Sequence, residues 1–230
     1  MKHDYSLREL EMATASFPLL DILQLADSTF PSGSYAHSFG LEWLDAQGEL
    51  DLESILRVRL FESLARVELP LLREAYEAAG VARLIELDQL ADVLTPVREA
   101  RQASRSIGHS FLRAAVKVRP GGLPARAAAS GVEHQPIVLG SVLRHWDITL
   151  EDGLAVHAWQ TLRQQLSAAQ RLGRIGQSGV QQLLQNLKPA IRAAIDRSQR
   201  VPLDEAGCFT PWLDLAGMRH DHQFSRLFIS

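Results

Sequence analysis

Histidine stands next to serine twice in this chain, and this pairing is the first pattern that could do chemistry, because histidine can serve as the base for a serine nucleophile. His37 and Ser38 are adjacent, and adjacent residues of a helix diverge by about 100°, so they would not face each other easily. Gly108-His109-Ser110 lacks the closing glycine of a nucleophile elbow, since position 112 is leucine, and no strand precedes it. The sequence therefore gives little support to a serine hydrolase.

A metal site is the second chemistry to consider. His220-Asp221-His222 is the densest histidine cluster, and two histidines separated by one residue could chelate a borderline metal such as nickel in an extended segment. The chain contains no His-Glu-x-x-His and no Cys-x-x-Cys motif. We therefore expect a solvated cluster in a tail and no metal site in this chain. A helical metal-dependent hydrolase stays open as an alternative if three ligands converge through the fold, and its candidate histidines are His109, His134, His157 and the His220/His222 pair.

A basic stripe is predicted on one helix, because Arg98, Arg101 and Arg105 recur at steps of three and four residues. Such a row is usually a solvated face with carboxylate partners. The alternative is a docking surface for an acidic protein face, since arginine pairs well with carboxylates.

Arg171 and Gln177 lie in a basic junction that contains three glycines, within residues 171–179. Phosphate can bind at a helix N-terminus, but no Gly-Lys-Ser/Thr follows at the P-loop spacing and no strand precedes the junction. The segment therefore indicates a connection between two helices.

A tight turn is predicted at Pro31-Ser32-Gly33-Ser34, because proline fixes one backbone angle and glycine permits a positive φ. Polar and aromatic residues follow it closely. On a helix, His37 would share a face with Leu41, and Ser38 with Glu42. On its own, this pattern indicates a tight turn between helices, with His37 satisfied by nearby backbone carbonyls. The family resemblance given below implies instead an ordered surface for partner recognition, and its candidate residues are Tyr35, His37, Ser38 and Glu42.

The C-terminal tail carries large apolar side chains without a helical face of its own. Exposed apolar segments often mark interaction sites, although such a tail can equally pack back on its own domain. The tail residues that we predict to bind a partner are Phe224, Arg226, Leu227, Phe228 and Ser230.

Helical periodicity dominates the rest of the chain, and no alternating strand pattern stands out. Asp51 and Gly80 are predicted to bound one helix with a kink or break near Pro70, and Thr95-Pro96 is predicted to begin another whose apolar stripe runs from Ala100 to Ala115. Further predicted features are a loop at 119–124, helix starts near Pro136 and after Thr149, a capping box at Ser178 and Gln181, and a kink or break at Pro189.

Composition fits an ordinary globular protein, with 46% hydrophobic and 22% charged residues. The net charge of −3 argues against nucleic acid as the main partner. The single cysteine, Cys208, fits a reducing compartment, and no secretory leader or membrane span stands out, so we expect a cytoplasmic protein. The predicted fold is all-α, a single compact domain over residues 1–230 with about eight to ten helices and flexible ends at 1–16 and 219–230.

Four segments of this chain, in order, resemble those of the F-type urease accessory proteins, the UreF family. They are Leu23 to Glu42, the Arg98 to Ser110 helix, the His134-x-Pro136…Gly140 segment, and the 171–179 junction together with the Arg226-Leu227-Phe228-Ile229-Ser230 tail. The chain departs from the family pattern at Tyr35, where phenylalanine is frequent, and at residues 173–177, where a Pro-Leu-Gly-Gln turn is frequent.

The resemblance implies a non-enzymatic, all-helical and dimeric protein. Its implied partners are a scaffold accessory protein of the UreD/UreH type, a GTPase of the UreG type and apo-urease. The tail would order against the scaffold protein. Nickel and GTP would be handled by the partners, and this chain would modulate the GTPase during nickel insertion. A helical adaptor unrelated to urease is the remaining alternative.

Overall fold

Ten helices follow one another along the residues that the computed structural model describes, 18–48, 50–220 and 227–229, and no strand occurs among them. The prediction of an all-α fold with eight to ten helices is confirmed. Helix α3 comprises three consecutive segments, Leu52–Val58, Arg59–Glu68 and Leu69–Tyr76. The other helices are α1 Pro18–Ala26, α2 Leu41–Ala46, α4 Val81–Leu94, α5 Arg98–Val118, α6 Gly122–Ala129, α7 Gln135–His145, α8 Leu150–Arg171, α9 Gln177–Ser198 and α10 Pro211–His220.

The middle segment of α3 is π-helical. It is bounded by α-helical turns, and the Leu69 N–H donates to the Leu64 carbonyl five residues back. The helix does not break near Pro70, contrary to one reading of the sequence; instead, the wide turns return to α-helical geometry at Leu69. Asp51 caps the start as predicted, since its side chain accepts from the Ser54 N–H.

Gly80 begins a helix and does not end one. Helix α3 stops at Tyr76, and Gly80 takes an extended conformation as the N-cap of α4. The sequence reading missed α4. Its buried residues include Asp88, whose carboxylate accepts the backbone N–H groups of Glu133 and His134.

Helix α5 starts at Arg98 and is capped by Val97, two residues later than the Thr95-Pro96 signal predicted. The contact that accompanies this shift is local: the Arg101 guanidinium donates to the carbonyls of Thr95 and Pro96 at 2.8 and 3.1 Å, and both residues stay outside the helix. The predicted stripe is largely confirmed, since Ala103, Ile107, Phe111 and Ala115 are buried and Ala100 is half-buried. The predicted loop at 119–124 is shorter, because α6 begins at Gly122.

The later helices follow the sequence more closely. Thr149 caps α8, accepting from the Asp152 N–H at 3.2 Å, and α7 starts beside Pro136. The capping box was wrong, because α9 begins at Gln177 with Gly176 as its cap and Ser178 lies inside its first turn. Pro189 does not break α9, which runs to Ser198.

The main core surrounds α7, whose residues 136–143 are all buried. Helix α7 packs against the last segment of α3 and against α5, α6 and α8. A smaller apolar cluster lies apart from this core and joins α2, α3, α8, α10 and the tail through Leu41, Leu44, Ile55, Ala168, Ala216 and Phe228. This smaller cluster supports the site described next. Within the described residues, no helix is both long and apolar enough to cross a membrane.

Candidate functional site

The turn after Pro31 is not the start of a helix. Ser34–Ala36 form a single 3₁₀ turn, and α2 begins only at Leu41, so the predicted sharing of a helical face by His37 and Leu41 was wrong. Phe39 has φ 52° and Gly40 has φ 83°, and these left-handed residues turn the chain sharply before α2. A bulky residue in this region costs on the order of 1 kcal/mol or more, so neighbouring contacts must hold the turn.

Gly40 is the point where this turn meets α10. A Cβ atom at Gly40 would lie 3.0 Å from the Ala216 Cβ and 3.1 Å from the Gly217 nitrogen. The absence of a side chain therefore lets the backbone of α10 approach the turn closely. The Phe39 ring points inward, with its centroid 5.6 Å from the guanidinium of Arg59.

The candidate side chains of the turn divide into exposed and buried. Tyr35 is 65% exposed, whereas His37, Ser38 and Glu42 are buried. Burial lowers the pKa of His37 below its ordinary value, so its imidazole is neutral at neutral pH. Partner contact through His37 or Ser38 stays a prediction, and it would require the turn to open.

The tail returns to this turn. The Ile229 N–H donates to the Ala36 carbonyl at 2.8 Å, and the Leu227 N–H donates to the Glu42 carboxylate at 2.6 Å. Phe228 is 5% exposed and belongs to the smaller apolar cluster, while Leu227 and Ile229 are 58% and 69% exposed. The tail is therefore anchored by one side chain and presents the two that flank it.

Arg171, at the end of α8, joins the turn to the tail. Its guanidinium carbon lies 3.7 Å from the centroid of the Tyr35 ring and 3.9 Å from the centroid of the Phe228 ring. Its Nη2 also donates to the Tyr35 carbonyl at 2.5 Å. The structure thus brings five predicted residues into one cluster, which we call the tail cluster: Tyr35, Glu42, Arg171, Leu227 and Phe228.

The other predicted residues lie elsewhere. Gln177 is exposed at the first position of α9. Three predicted tail residues, Phe224, Arg226 and Ser230, fall outside the described residues, as do residues 1–16 and the Asp221-His222 pair. Their predicted roles stay predictions.

The predicted basic stripe on α5 makes intramolecular contacts. Arg101 bonds the two carbonyls before α5, Arg105 pairs with Asp92 on α4, and Arg98 lies 3.2 Å from Glu99. Two of the three arginines therefore tie α5 to α4 or to the connection before it. A docking role for the stripe stays a prediction.

Sequence reasoning missed a partly buried polar cluster on the π-helical segment. Arg59 lies 2.6 Å from Glu68, and the ring of His157 on α8 lies 3.0 Å from the same carboxylate. Burial alone would raise the pKa of Glu68, but the Arg59 guanidinium and the His157 hydrogen bond outweigh it and hold the pKa at about 2. Arg59 and Glu68 are nine residues apart. Hydrogen bonds from residue i to residue i+5 give roughly four to five residues per turn, so nine residues make about two turns and bring the two side chains to the same face. At the α-helical period of 3.6 residues this proximity is not predicted.

A cavity of about 80 Å³ lies beside this cluster, lined by Arg59, Glu68 and Phe39 among others. Asp214 of α10 faces it, and burial raises the pKa of this carboxyl despite the hydrogen bond from Thr210 and the charge of Arg59. The cavity therefore lies under α10 and the Phe39 turn.

A second histidine cluster has the hydrogen-bond order of a nucleophilic triad, since His134 lies 3.1 Å from the Ser104 hydroxyl and 3.0 Å from Asp92. Ser104 stands in the middle of α5, its oxygen accepts the Gln135 N–H at 3.3 Å, and Arg105 pairs with Asp92. These contacts hold α4, α5 and the start of α7 together, which is a structural role. In the part of the chain that the structure describes, no three His, Cys, Asp or Glu side chains are grouped to bind a metal.

Comparison with known proteins gives one family. The UreF family model matches residues 47–188. The urease accessory protein UreF of Azoarcus sp. (strain BH72) is 35% identical over 227 residues, covering 93% of this chain and 96% of that protein. The protein of the same name from Nostoc sp. (strain PCC 7120) is 33% identical over 220 residues, with 92% and 95% covered.

Proposed function

This chain belongs to the UreF family of urease accessory proteins, and from that premise we propose that it is a non-enzymatic subunit of the cytoplasmic complex that inserts nickel into apo-urease. It binds a scaffold accessory protein of the UreD/UreH type, acts as a homodimer and modulates a UreG-type GTPase. Nickel is cargo and GTP is the substrate of the GTPase, and the partners hold both.

The tail cluster carries this proposal. Tyr35 and Leu227 of the cluster, and Ile229 next to it, expose large side chains around an anchored Phe228. Exposed apolar side chains favour protein association, because burying them releases water. This chemistry fits a protein partner.

The outer side of α10 extends the same argument. Trp212, Leu215 and Met218 follow at three-residue steps and are all exposed. Aromatic and methionine side chains are enriched at protein interfaces. Because α10 packs against the Gly40 turn that supports the tail cluster, we assign the scaffold protein to both surfaces.

The paired interior histidines support the non-enzymatic part of the proposal. His134 and His157 each contact a carboxylate that also pairs with an arginine, and both histidines are buried. Contacts of this kind between helices stabilise a fold without acting on a substrate, and among the described residues the Nδ1 atom of His157 has no hydrogen-bond partner.

The test is co-expression with the scaffold protein and the GTPase, followed by affinity purification and size-exclusion chromatography with light scattering. We expect a stable complex with the natural chain and its loss with Leu227→Asp, because a charge would be desolvated in the interface. The control is Val93→Asp, which changes a 76% exposed apolar residue on α4 outside the tail cluster.

Binding by Leu227→Asp at the level of the natural chain would contradict the assigned surface. No complex with the natural chain and well-folded partners would contradict the proposed function. The rate of GTP hydrolysis by the assembled complex, compared with that of the GTPase alone, tests the modulating role.

A further inference from the structure

We propose that a cleft beside the Pro31 turn is a docking site for one carboxylate side chain of the scaffold accessory protein, with Arg163 as its ion-pair partner. The cleft is lined by the end of α1, the turn and α8, with contributions from α5 and α7, and has a volume of about 110 Å³. The identity of the partner rests on the proposed function. The shape and charge of the cleft are independent of it.

Two amide side chains of α8 hold the walls of the cleft. Gln160 Nε2 donates to the Leu25 carbonyl of α1 at 2.7 Å, and Gln164 Nε2 donates to the Ser34 carbonyl of the turn at 2.7 Å. Among the described residues of α10 and the tail, none lines the cleft. The cleft is therefore formed by the helices and the turn alone, whether or not the tail is docked.

Arg163 is the cation of this cleft. It follows Gln160 by one turn of α8, and its side chain is exposed. Within the described part of the chain, its guanidinium makes no hydrogen bond and no ion pair. The Asp27 carboxylate is engaged by Thr29, whose N–H and hydroxyl donate to it at 2.6 and 2.5 Å. These bonds lower the pKa of Asp27 the most and the charge of Arg163 the least. The five N–H donors of Arg163 are thus available to a ligand.

Three serine hydroxyls add further donors. Ser28, Ser34 and Ser167 line the cleft, and none of these hydroxyls donates to another described residue. A guanidinium fork and hydroxyl donors match the two oxygens of a carboxylate. A volume of about 110 Å³ holds several water molecules, so it admits one side chain and not a folded segment. The cleft therefore fits the end of one aspartate or glutamate.

Tyr35 connects the cleft to the surface that we assign to the scaffold protein. It lines the cleft, belongs to the tail cluster and is 65% exposed. A protein that covers the Tyr35 ring therefore reaches the edge of the cleft. An acidic residue on that protein complements the unpaired charge of Arg163. Contact also removes water from the pair, which makes it stronger than an ion pair on an open surface.

The experiment measures the affinity of full-length variants for the scaffold protein. Arg163→Gln removes the charge, Arg163→Lys keeps the charge without the planar fork, and Arg163→Glu reverses the charge. The control is Arg126→Glu, which makes the same reversal at an exposed arginine of α6 whose side chain also bonds no described residue. Circular dichroism and urea unfolding should be unchanged in all variants, because neither arginine holds the fold together.

The cleft and the overall charge predict different results. We expect binding to weaken about tenfold in Arg163→Gln, less in Arg163→Lys and about a hundredfold in Arg163→Glu, as for a charged hydrogen bond that is lost or replaced by repulsion. Arg126→Glu should change affinity less than about threefold. Equal affinities of Arg163→Glu and Arg126→Glu, whether both unchanged or both weakened, would overturn the proposal.

A charge exchange then tests the ion pair itself. The exposed aspartates and glutamates of the scaffold protein are changed to arginine one at a time. One of these changes should weaken binding of the natural chain and restore binding of Arg163→Glu about tenfold or more. If none restores it, no carboxylate of the scaffold protein pairs with Arg163 and the proposal is wrong.

Light scattering and binding of the GTPase separate the other occupants. If Arg163→Glu changes only self-association or only binding of the GTPase, a second copy or the GTPase occupies the cleft, and the assignment to the scaffold protein is wrong. Binding of the natural chain with no effect at Arg163 would reject this inference alone. No binding by the natural chain would reject the proposed function as well.

Discussion

Two arginines organise this molecule in opposite ways. Arg171 lies near the surface between the rings of Tyr35 and Phe228, whereas Arg59 lies inside next to the Glu68 carboxylate. The rings are neutral, so Arg171 can return to water and leave no buried charge behind. Glu68 has no such route, because losing Arg59 would leave an anion under α10 and the Phe39 turn.

The tail cluster can therefore move away from the fold, whereas the Arg59 cluster must stay in place. The tail cluster can open locally at small cost, which suits a surface that meets partners. The Arg59 cluster connects the π-helical segment of α3 to α8 through His157. It also lines the cavity under α10 and the Phe39 turn, and so supports both. Breaking each cluster in turn tests this division.

The largest effect is expected for Arg59→Ala. Both side chains of the Arg59–Glu68 pair are 19% exposed, and removing one partner of a buried pair costs about 3 to 5 kcal/mol of unfolding free energy. Urea unfolding followed by circular dichroism measures this. The control is Arg57→Ala, which breaks an exposed pair with Glu53 and should cost less than about 1 kcal/mol. Equal losses in the two variants would mean that water already screens the inner pair.

The pH dependence of stability should report the same carboxylate. The pKa of Glu68 falls from an ordinary 4.5 to about 2 in the folded chain, so its contribution is present above pH 4.5 and is lost as the pH falls towards 2. The raised pKa of Asp214 acts in the opposite sense, since its contribution is lost as the pH rises through the folded value.

Glu68→Gln isolates the contribution of Glu68 to the pH dependence of stability. The difference in unfolding free energy between this variant and the natural chain should shrink as the pH is lowered from 4.5 towards 2. The lowered pKa values of Asp27 and Asp51 affect both chains alike and cancel in the comparison. A difference that stays constant over this range would show that Glu68 does not titrate as a paired group.

Gly40→Ala tests the packing of α10 against the turn that precedes α2. Alanine at φ 83° is strained, and its Cβ would lie 3.0 Å from the Ala216 Cβ, so we expect a loss of about 2 to 3 kcal/mol. Gly48→Ala is the matched control, because Gly48 has φ 75° and open space around it and should cost only about 1 to 2 kcal/mol. The excess measures the packing of α10 on the turn in urea unfolding. Equal losses would mean that α10 moves aside freely.

The sequence predicted the helix caps and apolar stripes that depend on neighbouring residues. Thr149 caps α8 through its own side chain, and the stripe from Ala103 to Ala115 faces the core at helical spacing, so both were predictable from a few neighbouring residues. The start of α5 was not, because an arginine side chain inside the helix, Arg101, binds the Thr95 and Pro96 carbonyls, and the Thr-Pro start signal does not take such a contact into account.

The site was partly predictable for the same reason. Residues near the N-terminal turn and in the C-terminal tail were predicted to bind a partner, and the structure brings the rings of Tyr35 and Phe228 to 3.7 and 3.9 Å from the Arg171 guanidinium carbon. His37 and Ser38 are buried and α10 approaches the chain closely at Gly40, and no local pattern encodes either feature. Arg59 and Glu68 became neighbours through π-helical turns, so a search at α-helical spacing missed them.

The smallest effect is expected for Phe228→Ala, although Phe228 is as buried as Phe111 of the main core, at 5% exposed each. Phe111→Ala should cost about 3 to 5 kcal/mol, because its helix cannot leave the core to relieve the cavity. The tail can undock, so the loss for Phe228→Ala is limited to the free energy of docking, about 1 to 2 kcal/mol for a few surface contacts. Urea unfolding of both variants measures the two costs. A larger loss of unfolding free energy for Phe111→Ala than for Phe228→Ala would show that Phe111 belongs to the fixed core and Phe228 to a segment that can undock. Equal losses would make the tail part of the core and remove the distinction between the two arginine clusters.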